Sequence, residues 1–116
     1  MKYNDFVQKA LEFDNRNQFG KSSNVSNIPV DLREFYSQCN PVDVEVDYNG
    51  MPMQFVAKDD FESIQKGYNL PSNAYCFATI NGDPIFLMDG KIYRSLADRF
   101  MPELIANNFD SFIESF

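Results

Sequence analysis

The chain has 116 residues with 17 acidic and 10 basic side chains, a net charge of −7, and neither histidine nor tryptophan. That length suits one domain, residues 1–116, able to bury roughly two-thirds of its unfolded surface without a disulfide or a structural metal. The negative balance argues against nucleic-acid binding through basic patches and against anionic membrane surfaces, and the missing histidine excludes Ser-His-Asp, Cys-His and histidine-ligated metal chemistry.

Residues 2–13 place Tyr3, Phe6, Val7, Ala10 and Leu11 at helical spacing and predict an amphipathic first helix. Residues 14–27, rich in Asn and Ser, read as a loop. Pro29 suits the first turn of a second helix, in which Leu32, Phe35, Tyr36 and Cys39 keep the helical period. That helix should stop before Asn40-Pro41, because a residue preceding proline resists the α conformation.

From Val42 the period changes to two. Val42, Val44, Val46 and Tyr48 alternate with Asp43, Glu45 and Asp47, giving one apolar and one wholly acidic strand face. Asn49-Gly50 signals a hairpin turn, and Met51, Met53 and Phe55 form the returning strand. Pro52 suggests that this strand lies at an edge.

Asp59 is placed to cap a short third helix, with Glu62 completing a capping box and Phe61, Ile64 and Tyr68 facing inward. Ala74 to Ile80 is apolar on both faces, as expected of a central strand. Asn81-Gly82 and Asp89-Gly90 turn the chain around Pro84–Met88 into a meander that continues at Ile92-Tyr93. No regular period marks Leu96 to Ala106. Asn107 is placed to cap a last helix in which Phe109, Phe112, Ile113 and Phe116 share a face. The order helix, helix, hairpin, helix, meander, helix predicts an α+β domain with a mainly antiparallel sheet.

The start of the chain, Met1-Lys2-Tyr3-Asn4-Asp5, lacks the apolar stretch of a secretory signal. No apolar run approaches the ~18 residues of a membrane helix. Cys39 and Cys76 each fall on an apolar face, so two buried thiols are expected rather than a bridge. These readings together point to a reducing cytoplasm.

Residues that could carry chemistry are few. Asp83 and Asp89 each neighbour a glycine, but a regular strand between them holds them about 20 Å apart, too far to share a proton or bracket one bond. They read as turn residues. Asp59-Asp60 lacks calcium-loop spacing and reads as a helix start. No phosphate-binding glycine loop occurs. The expectation is no catalytic residue, no metal and no cofactor. The row Asp43, Glu45, Asp47, with carboxylates roughly 7 Å apart, reads either as a solvated outer sheet face or as a docking patch for a basic partner. Asp83 is a weaker candidate for the same contact.

Four segments, in order, resemble the SUKH superfamily of Smi/Knr-type domains. They are Ile28-Pro29-Val30-Asp31-Leu32-Arg33-Glu34-Phe35-Tyr36, Asn40-Pro41-Val42-Asp43-Val44-Glu45-Val46, Ala78-Thr79-Ile80-Asn81-Gly82-Asp83-Pro84-Ile85-Phe86 and Ile105-Ala106-Asn107-Asn108-Phe109-Asp110-Ser111-Phe112-Ile113. The chain departs from the usual pattern at Asn40-Pro41, where many members carry Gly-Gly, and at Arg94 to Phe100, where many carry Trp or His.

The resemblance implies a non-enzymatic binding module. Bacterial members are chiefly immunity proteins that neutralise a toxin, often a nuclease, and fungal relatives act in cell-wall regulation. A cognate toxin domain with a basic surface is therefore the expected partner. The alternative is a regulatory or scaffold module with a non-toxin host partner. Nothing in the sequence specifies an oligomeric state.

Overall fold

A computed structural model describes residues 2–116. Helix α1 (Asn4–Phe13) buries Phe6 and Ala10 one turn apart. Helix α2 (Val30–Cys39) starts directly after Pro29 and buries Leu32, Phe35, Tyr36 and Cys39. It ends where Asn40 precedes Pro41, as expected.

The segment between these helices is more structured than its polar composition suggests. Asn17 is buried, and β1 (Phe19–Gly20) pairs with β2 (Asn40–Pro41), Phe19 against Pro41. Residues 14–27 therefore contain a strand and a buried amide, which correct the expectation of a loop alone.

The main sheet is a six-stranded antiparallel meander. Its order is β3 (Val44–Tyr48), β4 (Met51–Phe55), β5 (Ala74–Ile80), β6 (Asp83–Met88), β7 (Lys91–Arg94) and β8 (Glu103–Ala106). Three two-residue turns make this order local. Both central residues have positive φ at Asn49-Gly50 (51° and 84°), Asn81-Gly82 (50° and 84°) and Asp89-Gly90 (53° and 78°). These are type I′ turns, whose twist matches that of the strands they join. Asp89 is thus a turn residue, whereas Asp83 is the first residue of β6.

Several local expectations change. The first sheet strand begins at Val44 rather than Val42, because Asp43 breaks the extended run with φ at 88°. The strand carrying Pro52 is internal and β3 is the edge. Counted from the closing pair Tyr48–Met51, the Pro52 nitrogen points away from β3, beyond Met53–Ile80 where pairing with β5 ends. No ladder bond is lost there. Helix α3 (Phe61–Tyr68) is entered through a 3-10 turn at Lys58–Asp60. Asp60 stands at its N-cap, Asp59 lies inside the turn, and the expected capping box does not form. Helix α4 (Phe109–Glu114) is capped by Asn108, one residue later than expected, through its side chain and the Ser111 N–H at 2.7 Å. β8, in the stretch without a period, has no clean alternation to reveal it.

One face of the sheet carries the core. Phe6, Phe35, Phe55, Phe77 and Phe109 interlock there, with ring centres 5.2 Å apart for Phe6–Phe55 and Phe35–Phe109 and 5.3 Å for Phe77–Phe109. Such tilted and edge-on rings place the positive rim of one against the negative face of the next. A bulge between Cys76 and Ala78 turns Phe77 and Ala78 both into this core. The opposite face holds a smaller cluster of Ala74, Cys76 and Phe86 under Ile64, Tyr68 and Leu70. Both cysteines are buried and neither forms a disulfide.

Candidate functional site

β3 is the edge of the sheet, so its outward backbone groups require a partner. Asn17 supplies it: Nδ2 donates to the Glu45 carbonyl at 2.7 Å and Oδ1 accepts from the Glu45 N–H at 2.9 Å. The same Nδ2 donates to Ala10 O at the end of α1, at 2.8 Å. The loop after α1 is thereby fastened against the start of β3, beside the acidic row.

Around this junction lie two neighbouring grooves that share Asp43. The smaller, about 230 Å³, is lined by Asp14, Arg16, Asn17, Asp43, Glu45 and Gln54. The larger, about 470 Å³, runs from Val42 and Asp43 past Gln54 and Thr79 to Asp60, Ser63 and Ile64 of the α3 entrance. Register explains the floor, since Glu45 stands opposite Gln54 and Gln54 opposite Thr79, all on the face away from the aromatic core.

The electrostatics are one-sided. Asp14, Asp43, Glu45 and Asp60 line the two grooves, and Arg16 is their one basic lining residue. Arg16 is already engaged: its Nη2 lies 2.9 Å from Asp14 Oδ2, and its Nε and backbone N–H also bond Asp14. Those bonds hold the Asp14 carboxyl below its ordinary range. The Arg16 guanidinium is held above its own, first by Asp14 and then by Asp43 and Glu45. The β3 face is therefore not wholly acidic in context, because Arg16 leans over its upper end.

The candidate residues are not all together. Asp43 and Glu45 share the small groove. Asp47, opposite Pro52, is exposed farther along the strand, outside both grooves. Asp83 sits on β6, three strands away in the sheet. Its Oδ2 accepts from Arg94 Nη2 at 2.8 Å and Nε at 3.2 Å, and its Oδ1 from the Ala97 N–H at 3.2 Å. That carboxylate is committed to holding the loop after β7. Asp14 and Asp60 join the acidic surface only through the fold. In the sequence they are a helix end and a helix start, 46 positions apart, with no pattern to link them to Asp43.

Among the described residues no group of three acidic or thiol side chains is arranged to hold a metal ion. No described helix is long and apolar enough to cross a membrane. The arrangement offers several carboxylates over a partly apolar floor, suited to ammonium or guanidinium groups from a partner.

The sequence profile of the SMI1 / KNR4 family (SUKH-1) matches residues 22–115, most of the chain. The search of curated proteins returned no match. The matched region includes α2, the whole meander and α4, and so both grooves apart from their Asp14–Asn17 wall.

Proposed function

The chain belongs to the SMI1 / KNR4 family (SUKH-1), and from that premise we propose that it is a non-enzymatic immunity protein. Its partner on this reading is a cognate toxin domain with a basic surface, a nuclease in the first instance. The observation that carries the proposal is the acidic double groove around Asp43. A nuclease grips phosphates with Lys and Arg, and those same groups would meet Asp43, Glu45 and Asp60. Asp47 extends the negative field along β3 and steers the approach. Asp83, whose carboxylate is engaged by Arg94 and the Ala97 N–H, is the weaker candidate for this contact.

Family membership supports a binding module, since the family includes toxin immunity proteins. The proposed domain is 1–116 rather than the matched span alone, because Phe6 and Ala10 of α1 lie in the same core as α2 and α4. Acting on a toxin that reaches the cell interior places the protein in the cytoplasm.

The test has two stages. Tagged protein is recovered from its native cell, and partners are identified after elution at low and high salt. A basic toxin domain released by salt supports the reading, whereas a housekeeping or envelope partner moves it to a regulatory module. Association kinetics are then compared for the native chain and an Asp43→Lys, Glu45→Lys, Asp47→Lys variant. The variant should associate about tenfold or more slowly, with a flatter salt dependence. Unchanged binding would remove these residues from the interface.

A further inference from the structure

We infer that Asn49 is a modification site, at which the side-chain amide is lost spontaneously and a carboxylate appears at the tip of the acidic β3–β4 hairpin. The chain holds two Asn-Gly pairs, Asn49-Gly50 and Asn81-Gly82. Glycine has no side chain to shield its peptide nitrogen, which can therefore reach the Cγ of the asparagine before it. At Gly50 that nitrogen is uncommitted. Asn49 and Gly50 are both exposed, and no hydrogen bond to an acceptor among the described residues is donated by the Gly50 N–H.

The reaction needs only water. The Gly50 nitrogen gives up its proton and bonds to Asn49 Cγ. The Cγ–Nδ2 bond breaks, and the side-chain nitrogen leaves as ammonia. The cyclic imide so formed takes up one water, and no electrons are gained or lost. Opening at the side-chain carbonyl restores the backbone with aspartate at position 49. Opening at the main-chain carbonyl gives isoaspartate, with the chain routed through Cβ and Cγ. Either product carries one new negative charge. The aspartate form suits the turn, since Asp89-Gly90 makes the same I′ turn in this chain, with φ of 53° and 78° against 51° and 84° at Asn49-Gly50. The isoaspartate form lengthens the backbone of the turn. It should loosen the closing pair Tyr48–Met51 and the Tyr48 ring from Phe112 and Phe116.

The fold separates the two Asn-Gly pairs, although their φ angles nearly coincide. Closing the imide rotates the Asn–Gly peptide out of the I′ turn, so the rate follows local opening of each hairpin end. Asn49 ends the edge strand β3, whose Tyr48 pairs with Met51 alone. Asn81 follows Ile80, which is buried and pairs with both Met53 and Asp83. The Tyr68 hydroxyl also donates to the Gly82 carbonyl at 2.7 Å and pins that turn to α3. Asn49 should therefore react about fivefold or more faster than Asn81, the factor that one net hydrogen bond contributes.

The full chain, held in warm buffer at about pH 7 and about pH 9, is followed by ion exchange, and acidic species are located by peptide mass spectrometry. A species with one added negative charge, modified at Asn49, is expected. It should form about tenfold faster per pH unit, because the attacking nitrogen must lose its proton. In urea, where neither turn persists, the two asparagines should react alike. Tyr68→Phe should speed the reaction at Asn81 and leave Asn49 unchanged. Asn49→Asp should keep the native circular dichroism spectrum and abolish the fast acidification. Equal rates at the two sites in the native chain overturn the inference, as does an Asn49 that reacts only in urea. So does a preference for Asn49 that persists in urea, or an Asn49→Asp chain that acidifies as fast as the native one.

Discussion

The amide of Asn17 lies against the main chain of Glu45 as a neighbouring strand would, donating to its carbonyl at 2.7 Å and accepting from its N–H at 2.9 Å. Gln65 repeats the device inside the sheet. Where β4 falls short, its Nε2 donates to Ala74 O and its Oε1 accepts from the Cys76 N–H. Two side-chain amides thus complete the ladder at the places where strands run out.

Asn17→Ala leaves the Glu45 peptide groups and Ala10 O without this partner at a buried position. The expected loss is about 2–4 kcal/mol, read from urea unfolding. Asn17→Asp should cost at least as much, because a carboxylate cannot donate to the two carbonyls. A change below about 0.5 kcal/mol would show that water replaces the amide freely and that the edge needs no guard.

Asp43 holds φ at 88° without being glycine. Such backbone is strained in a residue with a Cβ, and glycine relieves it. Asp43→Gly should therefore raise stability by roughly 0.5–1 kcal/mol, the strain relief exceeding the added entropy of the unfolded chain. The same substitution should weaken association with a basic partner. Stability and binding measured on one variant should move in opposite directions; a destabilised variant would mean that the Asp43 side chain has a structural partner.

Asp83 and Arg94 form a half-buried pair, their side chains 18 % and 31 % exposed. Asp83→Ala removes three hydrogen bonds and frees the loop after β7. The expected cost is about 1–3 kcal/mol. Amide exchange at Ala97 should accelerate well beyond that of the β6 amides. Uniform acceleration along the chain would assign Asp83 to global stability instead of loop anchoring.

Burial pushes the Cys39 thiol up to about 11 and the Cys76 thiol up to about 12, from an ordinary 9.0. The fold therefore favours the neutral thiols. Above about pH 9 the unfolded chain loses protons that the folded chain keeps, so stability should fall as pH rises through this window. Urea midpoints at pH 7.5 and 9.5 should differ in that direction. In the native state neither thiol should react with a disulfide reagent at pH 8, and both should react in urea. Rapid labelling of native protein would contradict the burial.

Local chemistry settled much of this protein in advance. The helical faces through Phe35 and Phe112, the stop at Asn40-Pro41 and the three I′ turns follow from spacing, proline sterics and positive-φ preference, each acting within a few residues. With the turns in place, the meander order of β5, β6 and β7 was determined as well, and so was the position of Asp89 in the turn after β6. Tertiary contact decided the rest. Whether β3 or β4 is the edge depends on which of the two β5 pairs with. The kink at Asp43 comes from the junction of β2 with β3, and the burial of Asn17 from the arrival of an edge strand at a polar loop. The acidic grooves belong to this second class. Asp14, Asp43 and Asp60 lie on a helix end, a bend and a 3-10 turn, and only long-range packing brings them within one field. Sequence periodicity reports which face of an element is apolar; it carries no information on which distant polar residues that packing gathers.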